Sequence, residues 1–146
     1  MAVSESQVHV RHARAADAGA VALLAGELAQ SFAFSREKFD LAYPQLLTSR
    51  DACLLLAVDG DQCVGYLLGF RHLTFYASGP VAWAEEVLVR SGHRGRGTGR
   101  ALMTAFERWA AGHGCALVAL ATRRAAPFYR ALGYEDSATY FRKMLQ

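Results

Sequence analysis

Paired cysteines, long apolar runs and an excess of charge of one sign are all missing from this chain, and each absence removes a class of protein. The three cysteines, Cys53, Cys63 and Cys115, are odd in number and contain no Cys-x-x-Cys pair. Neither a disulfide framework nor a metal site is therefore indicated. All three stand in apolar, strand-like surroundings, where a thiol behaves as a small hydrophobe. No apolar run approaches the ~18 residues of a membrane helix, and residues 1–10 lack the basic start and apolar stretch of a secretory leader. A cytoplasmic protein with no membrane partner is expected. The 16 Lys and Arg residues against 13 Asp and Glu leave a net charge of only +3, so no nucleic acid is implied as an obligatory partner.

What is present suits one ordered domain. Hydrophobic residues make up 53% and charged residues 20% of the chain, a balance typical of folded proteins. Residues 1–146 are read as a single domain, able to bury about 68–70% of its unfolded surface, with no repeat or linker. Residues 8–13 alternate like a strand. After Asp17, a candidate cap, Val21, Leu24, Ala25 and Leu28 take the spacing of an amphipathic helix. Ser35 caps a second helical stretch through Phe39, Ala42 and Leu46, which Pro44 is expected to break or kink. Residues 53–58 and 64–70 read as strands joined by a hairpin at Asp59-Gly60. Gly79-Pro80 marks the next turn, and residues 81–89 the strand after it. Leu102, Ala105, Phe106 and Trp109 form the apolar face of a helix ending near Gly112 or Gly114. Residues 116–121 suit a central strand, a short helix through Phe128 stops at Gly133, and residues 140–145 alternate like a last strand. Hairpins followed by helical crossovers imply a mixed sheet flanked by helices.

The segment Arg94-Gly95-Arg96-Gly97-Thr98-Gly99-Arg100 lies between strand-like Glu86-Val87-Leu88-Val89 and helix-like Ala101-Leu102-Met103. Its glycines permit positive φ and leave no Cβ in a ligand's path, so successive N–H groups can converge on a phosphate. The helix that follows adds unpaired first-turn donors and the positive end of its dipole. Arg90, Arg94, Arg96 and Arg100 add local positive charge suited to an anionic cofactor. A nucleotide triphosphatase loop would need Gly-Lys-Ser/Thr, whereas Gly99 is followed by Arg100 and Ala101. A dinucleotide fingerprint would need Gly-x-Gly-x-x-Gly early in the chain, whereas Gly95, Gly97 and Gly99 are evenly spaced and late.

Arg94, Gly97 and Gly99 fill the Arg/Gln-x-x-Gly-x-Gly/Ala signature of the GNAT superfamily of N-acetyltransferases, whose pyrophosphate loop this segment resembles. Glu85-Glu86-Val87-Leu88-Val89 is similar to that family's fourth strand. Pro127-Phe128-Tyr129-Arg130-Ala131-Leu132-Gly133-Tyr134 is similar to its Phe-Tyr-x-x-x-Gly-Phe/Tyr element. The resemblance implies an α/β (α+β) fold with a mostly antiparallel sheet whose parallel fourth and fifth strands splay apart. It implies acetyl-CoA as co-substrate, without a metal. The cofactor would be held by Val87, Leu88, Val89, Arg94, Gly95, Arg96, Gly97, Thr98, Gly99, Arg100, Phe128 and Tyr129. Thr122 is included although many members carry asparagine there.

Acetyl transfer to an amine needs a deprotonated amine, a polarised carbonyl and a stabilised thiolate. A lysine-like amine has a pKa of about 10.4, so a carboxylate must accept its proton. Glu85 and Glu86 are the only acids on the strand; alternation puts Glu85 with Val87 and Val89, and Glu86 with Leu88. The resemblance favours Glu85 as base, with Glu86 second. Tyr129 is the expected general acid, and the Leu88 amide the expected oxyanion donor. Cys115, at the start of a buried strand, is a poor nucleophile, which favours direct transfer. The acceptor is expected to be a small-molecule amine bound near the first helix pair and residues 73–79, with Phe32, Phe34, Tyr43, Phe75, Tyr76, Glu27 and Asp40 as candidate lining. The competing reading is a non-catalytic acyl-CoA sensor or interaction module. A homodimer through strand edges is a further expectation.

Overall fold

A computed structural model describes residues 7–29 and 32–145. The part of the first interhelical loop at residues 30–31, included in the expected acceptor region, lies outside them, as do residues 1–6 of the expected leader-free start. Five strands, β1 (Val8–His12), β2 (Ala52–Asp59), β3 (Gln62–Thr74), β4 (Gly79–Val89) and β5 (Val118–Leu120), form one sheet in that order. β1 to β4 pair antiparallel, and β4 and β5 pair parallel. The helices are α1 (Ala18–Leu28), α2 (Arg36–Thr48), α3 (Thr98–Gly112) and α4 (Ala126–Ala131).

β2 is apolar along nearly its whole length because both of its faces are covered. Cys53, Leu55 and Ala57 pack with Leu102, Met103, Phe106 and Ala110 of α3. Leu54, Leu56 and Val58 pack with Val21 and Leu24 of α1 and Tyr43 of α2. The period-two alternation of a strand divides one apolar run between two cores. Gly69 on β3 makes room for α3, since a Cβ there would overlap the Phe106 ring.

Several local expectations are met. Ser35 Oγ accepts the Lys38 N–H at 3.2 Å and caps α2. Gly133, with φ 95°, ends the short helix α4. Its N–H donates to the Arg130 carbonyl and that of Tyr134 to the Tyr129 carbonyl, both at 3.0 Å, which is a Schellman closure. The Phe-Tyr-x-x-x-Gly-Tyr element is thus in part a helix stop, pinned to α3 by the Tyr134 hydroxyl donating to Glu107 Oε2 at 2.6 Å.

Other expectations are corrected. α2 runs through Pro44 without interruption, held on both sides by Phe39, buried Tyr43, Leu46 and Leu47 packing on the sheet, with the Tyr43 hydroxyl donating to the Arg14 carbonyl at 2.7 Å. Tertiary packing outweighs the lost backbone bond. Asp17 does not cap α1: its carboxylate accepts the Arg14 N–H at 2.7 Å and a bidentate pair from Arg11 at 2.8 and 2.9 Å. The turn expected at Gly79-Pro80 comes earlier, with Ser78 at φ 53°, and Pro80 already pairs with Leu73 inside the ladder. Residues 140–145 form no strand. Tyr140 instead stacks on Trp83 with ring centroids 6.5 Å apart, while Phe141 and Leu145 are exposed.

Candidate active site

β4 changes its pairing at one residue on both of its edges. Toward β3, Leu68 pairs with Glu86 and Gly69 with Ala84, so Glu85 is the extra residue of a β-bulge. Toward β5, the parallel pairing consists of Ala82, Trp83 and Ala84 with Val118, Ala119 and Leu120. The pairing ends at Ala84 and Leu120, so β4 runs on through Val89 without a strand on that edge; the expected splay lies there, but residues 117–120 stand beside 82–84 rather than 87–89.

The bulge reverses the alternation. Ala84 and Val87 belong to the core under α3, although an unbroken strand would put them on opposite faces. The shared face expected for Glu85, Val87 and Val89 therefore does not follow. Glu86 does share its side with Leu88: the buried Tyr66 hydroxyl, from the core under α1 and α2, donates to Glu86 Oε1 at 2.7 Å. Glu85 is exposed and Glu86 half-buried.

Backbone polarity follows the same shift. The Arg90 N–H donates to the Val64 carbonyl at 2.8 Å. Groups two residues apart in an antiparallel ladder point the same way, so the amides of Leu88 and Glu86 also turn toward β3. Those of Val87 and Val89 turn to the open edge, as the Val89 carbonyl does in accepting Arg94 Nε at 2.9 Å. The Leu88 amide, expected to be the oxyanion donor, thus turns into the sheet, and the Val87 amide is the one that faces the open edge.

The loop follows a short turn at Ser91–His93. Arg90 Nη2 lies 3.4 Å from Glu27 of α1, and His93 Nε2 lies 3.3 Å from Asp59 at the β2–β3 hairpin. Gly95 and Gly97 have φ of 75° and 82°, and a Cβ on either would stand in open space. The first bond within α3 is Ala101 N–H to the Gly97 carbonyl, 2.9 Å, so the amides of Thr98, Gly99 and Arg100 precede it and carry the helix's positive end. Arg96 and Arg100 are exposed and form no ion pair among the described residues. This cradle of amides and cations fits the diphosphate of acetyl-CoA.

Not every expected side chain serves it. Thr98 is 2% exposed, and its buried Oγ1 has no partner among the described residues, so its backbone amide, not its side chain, is what it can offer a ligand. Gly99, expected to bind the cofactor, is a packing glycine, because a Cβ would stand 3.0 Å from the Phe128 ring. The Thr122 hydroxyl is engaged locally, accepting the Ala125 N–H at 3.1 Å. Tyr129 packs on the same core as Val87, Val89 and Leu120, and burial raises its pKa above the ordinary value. A thiolate whose conjugate acid lies near 8.5 does not remove such a proton downhill. Such a phenol stays neutral and can donate a hydrogen bond without surrendering its proton. Burial likewise raises the Cys115 thiol, against a covalent intermediate. A groove of about 420 Å³ lined by Val10, Gly97, Arg100, Ala101, Thr104, Ala105 and Arg108 touches the loop, and none of these lining residues belongs to β4 or β5. Of the expected acceptor residues, Tyr43 is core, Asp40 pairs with Arg36 at 2.8 Å, and Phe32, Phe75 and Tyr76 are exposed.

A splayed parallel strand pair with an amide-lined loop at its end is the frame of an acyl-CoA transferase. The chain belongs to the GNAT acetyltransferase family, whose model matches residues 21–134. It is accordingly an acetyl-CoA-dependent N-acetyltransferase, with acetyl-CoA as co-substrate. The fold is shared with the aminoglycoside N-acetyltransferase AAC(6')-Iy in complex with CoA, at TM-score 0.85 and 19% identity over 99% of this chain and 100% of that one. It is shared with glucosamine-6-phosphate N-acetyltransferase from Arabidopsis thaliana, at TM-score 0.85 and 18% identity over 96% and 99%. A transcriptional regulator from Bacillus halodurans C-125 is also similar, at TM-score 0.84 and 22% identity over 95% and 100%. No curated protein matches the chain.

Proposed function

We propose that the chain moves the acetyl group of acetyl-CoA directly to a primary amine carried by a small molecule. The observation that carries this reading is the coincidence at Glu85 of bulge and splay, which sets a carboxylate pair beside an open backbone amide. The amine gives its proton to that pair, and its nitrogen bonds to the thioester carbon. The carbonyl oxygen is received by the Val87 N–H as charge develops on it. The C–S bond breaks, and the sulfur departs as thiolate stabilised by the Tyr129 hydroxyl, then takes up a proton to give free CoA. Two proteins of the same fold are named for aminoglycoside and amino-sugar acceptors, which supports a small-molecule acceptor. The outer edges of β1 and β5 are unpaired among the described residues, which supports a homodimer by edge pairing.

The test is release of free thiol from acetyl-CoA over a panel of aminoglycosides, amino sugars, polyamines and N-terminal peptides. Turnover confined to the small amines is expected. Peptides as the preferred acceptors would reverse the assignment, and tight CoA binding without turnover on any amine would identify a sensor instead.

A further inference from the structure

Glu85 and Glu86 are chemically identical neighbours held in unlike surroundings. Glu85 is the inserted residue of the bulge, exposed and without a hydrogen bond among the described residues. A glutamate so placed samples many rotamers, and fixing it for reaction costs side-chain entropy. Glu86 is held on the face covered by α1 and α2, where the Tyr66 hydroxyl donates to its Oε1 at 2.7 Å.

Tyr66 is 1% exposed and lies opposite Leu88 on β3, among Leu24, Leu56 and Leu68. Its ring is fixed by packing, and its hydroxyl, left alone there, would be a costly unpaired donor. Burial, then the neighbouring Glu86 charge, raises the phenol's pKa, so it remains a donor across any working pH. The bond engages one carboxylate oxygen; Oε2 carries none among the described residues. Glu86 also precedes Val87, whose amide opens on the splay.

We infer that Tyr66 is a positioning residue: its buried phenol aims the Glu86 carboxylate and so selects Glu86, not Glu85, as the group that takes the amine's proton. This rests on the acetyl-transfer reading above. As the N–C bond forms, the proton passes from nitrogen to Glu86 Oε2; the C–S bond breaks, and the carboxylic acid returns the proton to water. The sum is amine plus thioester giving amide plus thiol.

The test compares Tyr66→Phe, Glu86→Gln, Glu85→Gln and the Tyr66→Phe/Glu86→Gln double variant. Glu86→Gln is expected to lower kcat about a hundredfold, and Tyr66→Phe about tenfold, both with KM for acetyl-CoA unchanged. The double variant should be no slower than Glu86→Gln alone. Both deficits should shrink with a weakly basic acceptor that is already neutral at the assay pH, a response that a merely structural role would not produce. Wild-type kcat in Tyr66→Phe, additive losses in the double variant, or a larger loss in Glu85→Gln than in Glu86→Gln would overturn the inference. A thermal-stability cycle over the same variants reads the bond without turnover: coupling is expected, and its absence overturns the Tyr66 assignment alone. A wild-type protein that binds CoA and acetylates no amine would instead bring down the functional reading, and the catalytic role of Glu86 with it.

Discussion

Phe128 lies against Gly99, so close that a β-carbon at position 99 would stand 3.0 Å from the ring. Two segments that read as independent motifs, the glycine loop and the Phe-Tyr element, are therefore one packed unit. The ring must give way by a few tenths of an ångström in Gly99→Ala, and the α3 N-terminus shifts with it. We expect KM for acetyl-CoA to rise about three- to tenfold, with stability lowered by less than about 1 kcal/mol. Pairing it with Phe128→Leu should restore part of the affinity. An unchanged KM in Gly99→Ala would separate the two elements again.

Gly97→Ala probes the cradle differently. Open space surrounds the site, but φ of 82° costs an L-residue about 1–2 kcal/mol. The new methyl also enters the ligand's side of the loop. A Tm lower by a few degrees together with at least tenfold weaker CoA binding by calorimetry is expected. Loss of stability without loss of affinity would show that the phosphates lie elsewhere.

Pro44 is exposed in the interior of α2. A proline there withholds one N–H and crowds the preceding turn, at a cost approaching ~3 kcal/mol relative to alanine. Pro44→Ala should raise stability by about 1–3 kcal/mol in urea unfolding and leave kcat unchanged. A lower midpoint would show that the proline's restriction of the unfolded chain outweighs these costs.

Stability should respond to pH at the two extremes. The phenols of Tyr66 and Tyr134 are raised by burial and then by Glu86 and Glu107, and Tyr43 is pushed up to about 12 by burial. A raised phenol pKa means that folding favours the neutral form. That stabilisation is complete below the unfolded value near 10 and is lost as pH rises through the folded values. Asp17 is lowered, first by the hydrogen bond from Arg11; its contribution is present above the unfolded value near 3.9 and is lost as pH falls through the folded one. We expect a plateau at neutral pH and a decline above about pH 10. In Tyr134→Phe the plateau should drop by about 1 kcal/mol and the alkaline decline should be shallower. Denaturant titrations at pH 7 and pH 10.5 decide this, and an alkaline decline as steep as in the wild type would be against it.

Interactions spanning a few residues were legible in order and composition. The Asp59-Gly60 hairpin, the Ser35 cap, the Gly133 stop and the loop Arg94-Gly95-Arg96-Gly97 depend on φ preferences and on donors a few residues apart, so the chain dictates them before it folds. The two-faced burial of β2 is written in its unbroken apolar run. Membership in the acetyltransferase family rests on the same kind of local pattern.

Only the tertiary structure decided how β4 meets its neighbours. Strict alternation assigns faces to Glu85, Glu86 and Leu88, but one inserted residue reverses every face and amide beyond it. Whether a residue is inserted depends on what lies opposite: Gly69 and Leu68 on β3, with Phe106 filling the space above Gly69. Those partners are distant in sequence, as are Tyr66 for Glu86, Phe128 for Gly99 and the sheet that holds α2 straight through Pro44. Local propensities amount to about a kilocalorie per residue, and contacts closed across the fold outweigh them wherever the two disagree.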